Sequence, residues 1–152
     1  MPGVALATVV VPSYDEALAF YVDVLGFVLL EDTPVERGKR WVVVGPSEGR
    51  GAALLLAQAE GRRQRERIGD QTGGRVALFL VTEDFERDYG QMTARGVRFL
   101  EEPREEAYGT VAVFVDPYGN RWDLLEPAAP GHVVASATSS SPSPHGGSKP
   151  AR

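Results

Sequence analysis

Residues 9–32 read VVVPSYDEALAFYVDVLGFVLLED, and residues 78–102 read LFLVTEDFERDYGQMTARGVRFLEE. Laid side by side, Val11 falls on Val81, Glu16 on Glu86 and Gly26 on Gly96, and GFVLLE falls on GVRFLE. The match continues downstream: VVVGPSEGR (42–50) falls on VFVDPYGNR (113–121), with Pro46 on Pro117, and ALLL (53–56) on DLL (123–125). Self-similarity of this kind means one supersecondary unit used twice.

Each copy reads as strand, helix, strand, strand, strand. In the first helix Ser13 and Glu16 have the spacing of a capping box. Tyr14, Leu18, Tyr21 and Leu25 keep the four- and three-residue steps of one helical face, and Gly26 sits where a helix stops with positive φ. In the second, Phe85, Tyr89 and Met92 make the stripe and Gly96 the stop; an equally good capping box is lacking. Strands are expected at 4–11, 27–31, 41–44, 52–57, 76–81, 97–101, 110–115 and 121–125, short β-branched runs bounded by Gly or Pro. The two modules, 4–60 and 74–128, make a single domain over 1–130.

The intervening EGRRQRERIGDQTGGR (60–75) is polar and Arg-rich. It reads as a solvated linker, with a loop folded over a site as the alternative; Gln71 and Arg75 would be its contributors to such a site. Residues 131–152 are rich in Ser, Pro and Gly, and this tail is expected to be disordered.

Composition narrows the function. The 152 residues are 43% hydrophobic and 24% charged, with a net charge of −5, an ordinary globular composition. A mildly acidic chain offers no general surface for nucleic acid or anionic membrane, and the basic run GRRQRER includes Glu66 and reads as a solvated loop. No apolar run reaches membrane-spanning length, and no signal-peptide pattern opens the chain, so the cytoplasm is the expected compartment. There is no Cys, and the two His are His132 and His145, beyond the last strand. Imidazole and thiolate, the usual ligands of Zn²⁺ or Fe²⁺, are therefore missing from the domain. No metal and no other cofactor is expected.

The last strand poses the functional question. In RWDLL, Arg121 and Asp123 point one way, Trp122 and Leu124 the other. The apolar face is covered; the charged face looks at water, a metal or a ligand.

Two βαβββ copies with ALAFYVDVLGF (17–27) in the first helix and DPYGNRWDLLEP (116–127) near the end resemble the vicinal oxygen chelate superfamily, which includes glyoxalase I, extradiol dioxygenases, fosfomycin-resistance enzymes and bleomycin-binding proteins. The resemblance spans residues 4–127. It implies an α+β fold of two tandem βαβββ modules, forming curved mixed sheets around one cavity with helices on the outer faces. Trp122 and Leu124 would then pack under a helix, and Arg121 and Asp123 would face the cavity. The DPYGN turn would set Val115 opposite Arg121 and Val113 opposite Asp123, leaving Phe114 beside Trp122. The superfamily's metal-ligand positions, carried over, are Leu6, Ala53 (or Leu54), Val76 and Asp123, and only Asp123 is a donor. The resemblance also implies a homodimer.

The expected function is metal-free binding of a small organic, antibiotic-like molecule. Thr8, Val10, Leu78, Leu80, Val111 and Val113 would form an apolar wall, with Arg121 and Asp123 as polar handles and Tyr108 placed to lid the cavity. The alternative is a cofactor-free isomerase or lyase with Asp123 as catalytic base. A third possibility, a packed structural protein, needs no cavity.

Overall fold

The computed structural model describes residues 1–47 and 49–129; the tail 131–152, with His132 and His145, lies outside them. Both repeats begin their helix with a side-chain cap. Ser13 Oγ accepts from the Glu16 amide at 3.4 Å, and Asp84 Oδ1 accepts from the Arg87 amide at 3.0 Å. Each satisfies a donor that the first turn would otherwise leave unpaired. The first helix, α1 (Tyr14–Leu18), runs on through a π-helical stretch, Ala19–Val24. Its counterpart is α3 (Phe85–Ala94), and Gly26 and Gly96 follow the two helices at φ 89° and 91°.

The strands form two four-position sheets of identical topology. In the first, β1 (Leu6–Val11), β2 (Val28–Pro34), β3 (Arg40–Gly45) and β4 (Ala53–Gln58) lie in the order β1-β4-β3-β2, with β1 parallel to β4. Glu36 to Lys39 turns the chain between β2 and β3, with Arg37 and Gly38 both at positive φ, a primed turn that suits the strands' right-handed twist. A short helix, α2 (Gly61–Arg65), precedes the second module. There, β5 (Val76–Val81), β8 (Gly109–Val115) and β9 (Arg121–Pro127) repeat the order, with β5 parallel to β9. The single strand expected at 97–101 is instead two pieces, β6 (Arg98–Phe99) and β7 (Arg104–Glu106), both paired to β8. Across the gap, Leu100 N donates to Val113 O at 2.8 Å, and the Glu101 carboxylate accepts from Val113 N at 3.0 Å. A side chain thus takes the place of a missing strand partner.

The helix-side faces merge into one core. Val9, Val11, Leu54 and Leu56 of the first sheet, and Phe114, Trp122 and Leu124 of the second, share it with Tyr21 and Met92. Full burial of such side chains contributes about 1.5–3 kcal/mol each. The seam between modules is aromatic: the Trp122 ring lies 6.0 Å from Tyr21, 6.1 Å from Phe27 and 5.7 Å from Phe114. It is also pinned by a buried carboxylate. Asp116 accepts from Tyr21 Oη and Asn120 Nδ2, both at 2.8 Å, and from the amides of Asn120 and Tyr118 at 2.9 and 3.0 Å. The DPYGN turn therefore both reverses the chain and clamps the first module's helix to the second sheet.

The repeat itself is out of step by one residue. The helix caps Ser13 and Asp84 are 71 residues apart, but Gly26 and Gly96 are 70 apart. The π-helical stretch absorbs the difference. Tyr21 O accepts from Phe27 N, whereas its counterpart Met92 O accepts from Val97 N, one residue sooner. A single-residue insertion in a helix is what a π-bulge is, and here it turns Phe20 and Tyr21 inward side by side.

The linker is a strap across this seam. The Gln71 side-chain amide pairs with the edge of β1: Nε2 donates to Thr8 O at 2.9 Å, and Oε1 accepts a short bond from Val10 N. This bidentate contact imitates a neighbouring strand and blunts an open edge. Gly69, at φ 74°, passes so close to the DPYGN turn that a Cβ would lie 1.8 Å from Tyr118 O. Among the described residues, no helix is long and apolar enough to cross a membrane.

Candidate functional site

The faces turned away from the helices carry the candidate residues. In the first sheet Thr8 and Val10 pair with Leu55 and Ala57, opposite the core residues Val9 and Val11. In the second, β8 and β9 have the register read from the sequence, with Val113 opposite Asp123 and Val115 opposite Arg121. Arg121 is exposed; Asp123 is only 8% exposed. A carboxylate so deeply placed on a largely apolar face is unusual, since burial penalises charge. Val111 is fully buried, so it supports this face from within.

Leu78 and Leu80 require a correction. They pair with Trp122 and Leu124 and pack against the helix-side core, so they are not on the face of Asp123. The residue opposite Asp123 is Phe79, 56% exposed, and Val81 beside it is 51% exposed. The cause is a β-bulge between Val76 and Leu78, which shifts the register by one and exchanges the faces of everything after it. Counting from the helix caps would have revealed it: a 71-residue step carries Thr8 to Phe79 and Val10 to Val81, whereas the 70-residue step of Val11 and Val81 carries them to Leu78 and Leu80.

Three further candidates sit at the periphery. The Gln71 amide is committed to the β1 backbone. Arg75 is exposed just before β5, its carbonyl accepting from Thr72 Oγ1 at 2.6 Å. Tyr108, half-buried in the turn between β7 and β8, accepts from Ala128 N through its carbonyl at 2.8 Å. On the helix-free faces the centres are buried, with Val43 and Val111 nearly or fully inaccessible, while Phe79 and Val81 toward β5 stay about half exposed.

Among the described residues, two clefts stand out at the margins of the sheets. One, of about 310 Å³, is at the end of the first sheet between Trp41, Leu55, Ala57 and the strap residues Glu60 and Gln64. Pattern reading missed Trp41 as a candidate, although at 39% exposure it contrasts with the buried Trp122 at 2%. The other, of about 570 Å³, is flanked by Asp84, Glu86, Glu105 and Glu126 at the start of α3.

The metal-ligand positions implied by the fold do not suit a metal. Leu6 and Ala53 face each other in the β1–β4 ladder, and Val76 pairs with Arg121; hydrocarbon side chains there donate nothing. Among the described residues, no three His, Cys, Asp or Glu side chains group closely enough to hold an ion.

The comparisons agree with this architecture. The chain is 56% identical over 118 residues to a protein of Shewanella frigidimarina (strain NCIMB 400), covering 77% of this chain and 87% of that one. It is 33% identical over 128 residues to YurT of Bacillus subtilis (strain 168), covering 81% and 98%. Among solved structures, it matches TnmS3, an antibiotic binding protein from Streptomyces sp. CB03234, with TM-score 0.68 and 32% identity over 84% of this chain and 98% of that one. UcmS2 matches with TM-score 0.72 and 27% identity, covering 82% and 98%. Residues 3–124 match one family along nearly the whole folded region, and the chain belongs to the Glyoxalase/Bleomycin resistance protein/Dioxygenase superfamily.

Proposed function

We propose that this protein is a metal-free binder of a small organic molecule, working as a homodimer in which the open faces of two copies close over the ligand. One observation carries the reading: a buried carboxylate, Asp123, stands beside Phe79 and Val113 on a largely apolar face turned away from the helices, where Phe79 and Val81 stay about half exposed. Exposed apolar patches of this kind mark interaction sites, and an apolar wall with few polar handles is how small-molecule sites are built. The similarity to TnmS3, itself an antibiotic binding protein, supports the ligand class. Thr8, Val10, Val113, Arg121 and Asp123 are then the ligand-facing residues, joined by Phe79. A thermal-shift screen of small natural products tests this. A ligand at 100 times its Kd stabilises by about 2.7 kcal/mol, and Phe79→Ser and Asp123→Asn should abolish the shift. The reading fails if every hit is indifferent to both substitutions and sedimentation finds only monomer. Conversion of a bound ligand to product would instead favour an isomerase or lyase with Asp123 as base.

A further inference from the structure

The cleft at the end of the first sheet combines one open aromatic wall with two cations in different states. Arg40 is fixed. Its guanidinium reaches Asp32 through Nε and Nη2 at 3.0 and 2.7 Å and Asp15 through Nη1 at 2.8 Å, lies 5.1 Å over the Tyr14 ring, and belongs to a residue whose amide donates to Tyr14 Oη at 3.2 Å. Lys39 has a looser bond. Its ammonium meets the Glu60 carboxylate at 3.2 Å, with both side chains more than half exposed. An ion pair in water is nearly neutral in free energy, so Glu60 yields Lys39 at little cost to an anion held in place by other contacts. Those contacts are present: Trp41, Leu55 and Ala57 make an apolar floor about 310 Å³ in volume, and an exposed indole presents a flat stacking surface.

We propose that this cleft, where the helix-free face of the first sheet ends beside the strap, is a subsite for a planar aromatic molecule carrying one acidic group: the ring stacks on Trp41, and the carboxylate or sulfonate displaces Glu60 from Lys39. Glu60 and Gln64, hydrogen-bonded to each other through Glu60 N and Gln64 Oε1 at 2.9 Å, make the linker strap the movable rim of the pocket. The proposal deepens the small-molecule reading and rests on it for the general claim that this protein takes organic ligands.

The probe is 8-anilinonaphthalene-1-sulfonate, with neutral N-phenyl-1-naphthylamine as its uncharged analogue. Saturable binding with energy transfer from Trp41 is expected. Trp41→Ala should weaken binding of both dyes by about tenfold, the scale of losing an aromatic anchor. Lys39→Gln should weaken the sulfonate dye by about threefold to tenfold and leave the neutral one unchanged, and Glu60→Gln, which removes the competitor, should tighten the sulfonate dye. Indifference of the sulfonate dye to Lys39→Gln overturns the anion-exchange mechanism. Binding that ignores Trp41→Ala but is lost in Phe79→Ser puts the dye on the second sheet's face beside Asp123, which overturns the cleft and leaves the broader reading intact. Saturable binding absent in the parent protein overturns the cleft; the natural-product screen then decides the broader reading by itself.

Discussion

Replacing Tyr21 by Phe removes one hydroxyl from the seam between the modules and keeps the ring that packs on Trp122. That hydroxyl donates to Asp116, which is 3% exposed and keeps three other donors. A hydrogen bond to a charged group contributes about 1.5–3 kcal/mol net; because Asp116 retains its other partners, we expect about 2 kcal/mol. For a domain of this size that lowers Tm by roughly 6–10 °C. Urea denaturation is the assay, and an unchanged m-value shows that only the folded state was altered. Asp116→Ala should cost more, about 3–5 kcal/mol, since it strands four buried or half-buried donors at once. The double mutant should cost little beyond Asp116→Ala alone, the signature of a shared bond. A Tyr21→Phe variant within about 0.5 kcal/mol of the parent would refute the seam as a polar clamp and leave ring packing as its whole basis.

The same bond has a pH signature. Burial, reinforced by the charge of Asp116 and the hydrogen bond to it, raises the Tyr21 phenol above its ordinary value of 10.0. The folded state therefore holds a proton that the unfolded chain releases. Stability from this source is complete below pH about 10 and falls above it by about 1.4 kcal/mol per pH unit. Tyr118, pushed up to about 12 by burial, then by Glu16 and Asp116, acts in the same direction between about 10 and 12. Tyr21→Phe should flatten the alkaline limb; an unaltered limb would contradict the assignment.

Three other substitutions probe the architecture. Gly69→Ala should destabilise by about 3 kcal/mol or more, because a Cβ would meet backbone at 1.8 Å and a positive φ adds about 1–2 kcal/mol for an L-residue; urea midpoints read the loss, and a neutral result would mean the strap does not touch the turn. Gln71→Leu should cost only about 1 kcal/mol, since water replaces both amide contacts at an exposed edge, but it should speed hydrogen exchange at Val10 relative to Val9. Leu78→Ser should cost about 2 kcal/mol through lost core contact, whereas Phe79→Ser should leave the monomer's stability within about 0.5 kcal/mol; the reverse ranking would restore the register without a bulge.

Most of the fold was written in local patterns. Ser13, Gly26, Gly96 and the DPYGN turn act through residues a few positions away, so the sequence displays them directly. The β8–β9 register follows from the turn that joins the two strands, and Val113 stands opposite Asp123 as alternation requires. What matching the repeats at a single step concealed were single-residue insertions, which only the differing steps between caps and glycine stops betray. The π-helical stretch and the bulge after Val76 each leave hydrophobic content unchanged while shifting parity, and a strand's faces depend on parity alone. Leu78 and Phe79 are both apolar, so composition could not say which faced Asp123. Gln71 was legible as a linker residue close to the next strand but not as a mimic of a strand, because its partners, Thr8 O and Val10 N, are backbone atoms more than sixty residues away. Trp41 carried no signal, since an aromatic in a β-rich run is ordinary.

These details also indicate where further closure would gain most. Where backbone would stand open near the seam, side chains fill in: Gln71 on β1 and Glu101 in the gap beside β8. Such contacts contribute about 1 kcal/mol apiece in competition with water, so an incoming strand would gain little at those edges. Part of the apolar face stays accessible among the described residues. Phe79 and Val81 are each about half exposed, and covering side chains of that size is worth about 1–2 kcal/mol each, before Leu6 and the neighbouring valines are counted. The larger gain lies in covering faces rather than extending edges. On the proposed reading, a second copy would therefore meet this chain sheet face to sheet face, with Asp123 as the polar point that orients an apolar guest.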